Sequence, residues 1–131
     1  MGHNVSYLLD THVLLWWLAD DPKLPIHHRE LLEDGDATVY VSSITVAEIS
    51  IKSSLGKLTV PDGITTAVQD SGFQLLDFTT AHAEQLRALP WHHRDPFDRM
   101  LIAQAQVDGL TFLSVDERVR QYDVSLSPVR R

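Results

Sequence analysis

Four acidic side chains occupy positions where folding alone gives a carboxylate little reason to be. Asp10 directly follows the β-rich run 5–9, and Asp116 directly follows the run 111–115. Glu48 lies in the middle of a helical stretch, on the edge of the stripe formed by Ile44, Ala47, Ile51 and Leu55 at about 100° per residue. Asp98 falls within about 60° of Leu101, Ile102 and Ala105 on the helical wheel. A carboxylate facing a core is costly unless it is paired or bound to a cation. Acids gathered in one pocket would hold a hard divalent ion such as Mg²⁺ through oxygen ligands. Each acid also has a plainer reading. Asp10 and Asp116 stand where helix N-caps are wanted. Glu48 can be half of a buried ion pair with a Lys or Arg, and Asp98 suits the positive end of a helix. Asp95-Pro96 reads as an N-cap followed by a first-turn proline, with a secondary role beside the cation.

Short β-rich runs alternate with helical runs, which implies an α/β fold with a parallel sheet. Strands are expected at 5–9, 38–42, 73–76, 111–115 and 124–127. Helices are expected at 12–19, 25–33, 44–55 (capped by Ser43), 61–72, 80–89, 95–108 and 116–122. In such a sheet all strand carboxyl ends share one edge, and ligands bind where the strand order reverses. With strand order 3-2-1-4-5, Asp10 and Asp116 would face each other across that crevice.

The 131 residues suit one domain spanning 1–131. There is no cysteine, so disulfides and thiol chemistry are excluded and a cytoplasmic location is expected. The apolar run 13–19 is far too short for a membrane span, and no membrane association is expected. The net charge of -7 argues against holding nucleic acid by bulk charge, although bound cations invert the local sign.

Four segments, in order along nearly the whole chain, resemble the PIN domains, and among them the VapC-type toxins of bacterial toxin–antitoxin pairs. They are Leu8-Leu9-Asp10-Thr11-His12-Val13-Leu14-Leu15-Trp16-Trp17-Leu18, Ser42-Ser43-Ile44-Thr45-Val46-Ala47-Glu48-Ile49, His93-Arg94-Asp95-Pro96-Phe97-Asp98-Arg99-Met100-Leu101-Ile102-Ala103-Gln104-Ala105 and Ser114-Val115-Asp116-Glu117-Arg118. The resemblance implies a flavodoxin-like three-layer α/β/α sandwich with a central parallel sheet of four or five strands. It implies Mg²⁺- or Mn²⁺-dependent hydrolysis of RNA, leaving a 5′-phosphate and a 3′-hydroxyl. The family's catalytic and metal-binding quartet falls on Asp10, Glu48, Asp98 and Asp116. Ser114 matches a small hydroxyl residue common two positions before the last acid. Asp95, Ser114, Thr11 and Arg99 are secondary candidates. The resemblance also implies a VapB-type antitoxin and a homodimer as partners. Helix 12–19, apolar nearly all round, would be covered by the sheet or by one of them.

The pairs His27-His28 and His92-His93 lack the spacing of a zinc site, so loop or surface positions are expected for them. An acid- and magnesium-dependent phosphatase on a similar fold would want Asp-x-Asp after the first strand, where the chain reads Asp10-Thr11-His12. A receiver-type signalling domain would use Asp77, which follows the third strand, but no Lys follows the fifth.

Overall fold

A computed structural model describes residues 5–60, 62–122 and 124. Four strands form one parallel sheet: β1 (Ser6–Leu9), β2 (Thr38–Ser42), β3 (Gln74–Leu76) and β4 (Thr111–Leu113), in the order β3-β2-β1-β4. The order reverses between β1 and β4, as expected. Leu8 pairs with Tyr40 on one side and with Phe112 on the other. Alternation along these strands builds two cores. Tyr7, Leu9, Val39, Val41 and Leu113 join one cluster with Val13 and Leu14 of α1 (Thr11–Leu18), Leu32 of α2 (Ile26–Glu33) and Val68 of α4 (Ile64–Asp70). Leu8 and Phe112 join the other with Leu101, Ile102 and Ala105 of α6 (Pro96–Asp108). Two cores on opposite faces of one sheet make the α/β/α sandwich that the alternating pattern implied.

Between these layers, α3 (Ser43–Ser54) contributes Ile49 to the first core and packs Ile44 against the second. It starts directly from the end of β2, so Glu48 sits one turn above the sheet's carboxyl edge. Its N-cap is Ser42, whose Oγ accepts from Ile44 N. Ser43, the residue expected there, instead accepts from Phe78 N and ties the turn after β3 to the helix.

Other differences are local. The helix expected from Pro61 begins at Ile64, because Gly63 adopts a left-handed backbone (φ 77°) that cannot continue into a helix. The helix expected over 80–89 is α5 (Thr80–Gln85) followed by a 3₁₀ turn, Leu86–Ala88. After Asp116 the chain makes a 3₁₀ turn, Glu117–Gln121. Of the expected strand 124–127, residues 125–127 lie outside the described residues. No helix among the described residues is long and apolar enough to cross a membrane.

His28 corrects the surface expectation for the His27-His28 pair. It is fully buried in α2, and neither ring nitrogen has a hydrogen-bond partner among the described residues. Helix spacing puts adjacent residues on different faces, so only one of the pair turned inward. Burial, and secondarily the charge of His27, lowers its pKa from 6.5 to about 4. The folded pKa is depressed. The neutral ring therefore supports folding fully above 6.5, and that support is lost as pH falls towards 4. Replacing His28 with Leu removes two unpartnered polar atoms and should raise stability by roughly 1 kcal/mol at pH 7, and by more at pH 5. Urea unfolding at the two pH values measures it; a variant less stable than the parent at both would mean that the ring is satisfied.

Candidate active site

The carboxyl edge of β1 and β4 is drawn together by main-chain pairing. Asp10 N donates to Leu113 O at 3.0 Å, extending the ladder one residue past β1. That register places Asp10 beside Ser114, whose hydroxyl donates to Asp10 Oδ2 at 2.6 Å. The same Ser114 Oγ accepts from Asp116 N at 3.1 Å. β4 stops at Leu113, two residues short of the expected 115, so Asp116 lies three residues past the strand. One small hydroxyl thus links the Asp10 carboxylate to the main chain of Asp116, 106 positions away (116 − 10). Asp10 precedes α1 and makes no well-aligned capping bond, although the main-chain N–H of His12 in the first helical turn still draws on its carboxylate, so capping accounts for only part of its placement. Its other oxygen, Oδ1, is buried without a partner among the described residues.

Glu48 is buried as well (2% exposed). Lys52, one helical turn on, donates to its Oε2 at 2.6 Å, which is the ion pair offered as the plainer reading. Half-exposed Lys52 satisfies only that oxygen; Oε1 is buried without a partner among the described residues.

Asp98 sits at the third position of α6. Asp95 caps the helix, its Oδ1 accepting from Phe97 N and Asp98 N, as the Asp-Pro start implied. Asp98 Oδ2 lies 2.6 Å from His93 Nε2, and the same nitrogen is 3.5 Å from Asp116 Oδ2. His93, Asp98 and Asp116 each offer a ligand atom within 4.8 Å of the others. Asp116 also caps its 3₁₀ turn through Arg118 N and pairs with the Arg118 guanidinium. Those bonds hold its carboxyl below the usual range.

Electrostatics ties these groups into one neighbourhood. Burial pushes the Asp10 carboxyl up; the Ser114 bond and the His12 ring and main-chain N–H oppose this, and the negative charge of Glu48 adds to it. Burial, then the charges of Asp10 and Asp95, push Asp98 up to about 6, against the pull of the His93 bond. Asp95 and Asp98 both act on Lys52 and on Arg118. Asp10 and Asp98, both pushed up, and the orphaned buried oxygens of Asp10 and Glu48 fit a divalent cation with oxygen ligands.

The secondary residues divide. Ser114 is inside the site, and Asp95 is its helix cap. Thr11 Oγ1 lies 3.2 Å from Thr45 Oγ1 in a buried contact that ties α1 to α3 beside Asp10 and Glu48. Arg99 is buried, and its guanidinium serves the chain itself. It donates to Leu89 O, Pro90 O and Tyr122 Oη, and Trp91 stacks over it at 3.6 Å. Those bonds tie loop 89–95 to α6 and remove Arg99 from the secondary site candidates.

His93 is the residue that sequence reasoning missed. Taken with His92 as surface, it is 4% exposed and bonded to Asp98. The available signal was its place two residues before an N-cap, where a chain end can fold back onto the first helical turn.

An apolar groove of about 600 Å³ opens beside Glu48 and Lys52, walled by Leu15, Trp16, Leu58 and Val60. The half-buried helix α1 forms one of its sides.

The PIN domain model matches residues 7–125 of the chain. No curated protein matches it. Among solved structures, it resembles VapBC2 from Rickettsia felis bound to a promoter DNA fragment. The TM-score is 0.70 at 17% identity, covering 94% of this chain and 98% of that one. DNA-bound VapBC from Salmonella typhimurium gives 0.68 at 20%, covering 94% and 97%. FitAcB from Neisseria gonorrhoeae gives 0.62 at 24%, covering 93% and 96%. A family model that runs over nearly the whole chain, on a fold these structures share, establishes that this chain belongs to the PIN domain family.

Proposed function

We propose that this protein is a Mg²⁺- or Mn²⁺-dependent endoribonuclease and the toxin of a VapBC-type toxin–antitoxin pair, working in the cytoplasm as one PIN domain. The observation that carries the reading is the pair of orphaned buried oxygens, Asp10 Oδ1 and Glu48 Oε1, whose acids act electrostatically on each other and, through Asp10, on Asp98, itself within 4.8 Å of His93 and Asp116 ligand atoms. Folding does not repay burying carboxylate oxygens without partners. A cation does.

Asp10, Glu48, Asp98 and Asp116 would hold the metal. It would supply charge for the phosphoryl oxygens and activate water for in-line hydrolysis. The protein's own part is positional. Ser114 fixes the Asp10 carboxylate, and Asp95 fixes the first turn that carries Asp98. Lys52 balances Glu48 and adds a partly exposed positive charge at the site's rim, suited to an RNA phosphate.

A VapB-type antitoxin is the proposed partner. The groove of about 600 Å³ would accept its apolar segment beside Glu48. Exposed Ile51 on α3 and Leu55 just past its end favour a homodimer contact.

The test is to incubate the purified chain with structured RNA and Mg²⁺ or Mn²⁺, with a chelator control, and to map the ends formed. Metal-dependent internal cuts leaving 5′-phosphates support the reading. Intact RNA alongside phosphate release from small monoesters would replace it with a phosphatase.

A further inference from the structure

We infer that His93 is a positioning residue: its neutral imidazole fixes the Asp98 carboxylate and thereby raises the affinity of the acidic edge for divalent cations. This rests on the metal-site reading above and adds to it a residue outside the acidic quartet.

The geometry determines what the ring can do. Asp95 N donates to His93 Nδ1 at 3.4 Å, so Nδ1 is the acceptor and the ring hydrogen sits on Nε2. Nε2–H then donates to Asp98 Oδ2 at 2.6 Å. The main chain at His93 is anchored too. His92 N and His93 N both donate to Tyr122 Oη, at 3.0 and 2.8 Å, and Arg99 donates to the same oxygen. With the ring buried and its backbone pinned, neither end of the His93–Asp98 bond is free to drift.

The bond satisfies a buried ring N–H, and it also constrains Asp98. Asp98 stands among negative charges from Asp10 and Asp95, and repulsion would otherwise turn its carboxylate outward. A hydrogen bond to one oxygen sets the plane of the group and leaves the second oxygen a single direction. Bonds of this kind to ligating carboxylates orient them and tune metal affinity. Direct ligation by Nε2 would require the hydrogen to move to Nδ1, which breaks both ring bonds. It would also predict preference for metals that favour nitrogen. Positioning predicts equal help for Mg²⁺ and Mn²⁺.

The experiment measures binding without RNA. Free Mn²⁺ is counted by electron paramagnetic resonance with the full chain, and Mg²⁺ affinity is taken from competition. His93→Ala should weaken both ions by roughly 10–100-fold. His93→Gln, which keeps a side-chain N–H donor, should recover most of that loss. Metal-free thermal melts show which variants fold; if His93→Ala does not, His93→Leu, which fills the space without a donor, takes its place and should show the same loss. His93→Ala binding both ions like the parent would overturn it. So would a loss confined to Mn²⁺ that Gln does not restore, which marks a nitrogen ligand. A parent that binds neither ion removes the metal-site reading and this role together, whereas a parent that binds while His93→Ala is unaffected removes this role alone.

Discussion

Asp98→Asn is expected to abolish RNA cleavage while making the metal-free protein more stable. These effects run in opposite directions, and the same cause produces both. Asp98 is held near Asp10 and Asp95 in a buried place that pushes its pKa up to about 6. At pH 7.5 the group is ionised at a cost, which a cation would offset. Asn keeps the shape and an oxygen to accept from His93 but removes the charge. Residues that merely support metal ligands are worth about 10–100-fold in activity, so a proposed ligand should cost at least the upper end, about a hundredfold or more. Asp10→Asn should follow the same pattern, because its Oδ2 acceptor for Ser114 is retained while the charge near Glu48 is lost. Cleavage rates paired with metal-free thermal melts test this. Retained cleavage in both variants would remove the acids from catalysis. A less stable Asp98→Asn protein would show that the carboxylate is structural.

Saturating Mg²⁺ should stabilise the fold by about 2.7 kcal/mol when present at a hundred times its dissociation constant. The gain should shrink as pH is lowered from 7.5 to 5.5. Asp98 supplies the sign. Its folded pKa of about 6 lies above the ordinary 3.8, so the stability it contributes without metal is full below 3.8 and is lost as pH rises through about 6. Metal-free protein therefore gains from this group on acidification, while protons compete with the cation for it. His28 has the opposite slope below 6.5. A His28→Leu background isolates the acidic site. Melts with and without Mg²⁺ at the two pH values provide the measurement. No shift with Mg²⁺ at pH 7.5, or a shift of equal size at pH 5.5, would contradict the proposed cation site.

Much of the architecture was legible because the chain's local signals agree with one another. Apolar runs at 5–9, 38–42 and 111–115, separated by helical stretches, could only become parallel strands with crossover helices. The Asp95-Pro96 start and the Gly109 stop of α6 follow from backbone chemistry and appear where expected. Boundaries shifted where a single residue decided them, as at Gly63.

Side-chain partners were less legible, since they depend on what folding brings alongside. A strand-end aspartate before a helix reads as a cap. Only the β1–β4 register gave Asp10 a hydroxyl from Ser114, a partner outside its own helix. Arg99 was a secondary site candidate in the sequence, and loop 89–95 instead surrounds it with carbonyls and Trp91. His93 was indistinguishable from His92 by composition, yet one ring is buried on Asp98 and its neighbour is exposed.

The order of types along the chain determined the parallel sheet, its crossover helices and the strand and helix positions of the acids, because periodicity and capping act over a few residues. Tertiary structure decided which oxygens lost their partners, which cations were taken up internally, and that an imidazole stands between Asp98 and Asp116. Those outcomes depend on approach between groups far apart in sequence, where ångström distances and shared burial set the energy.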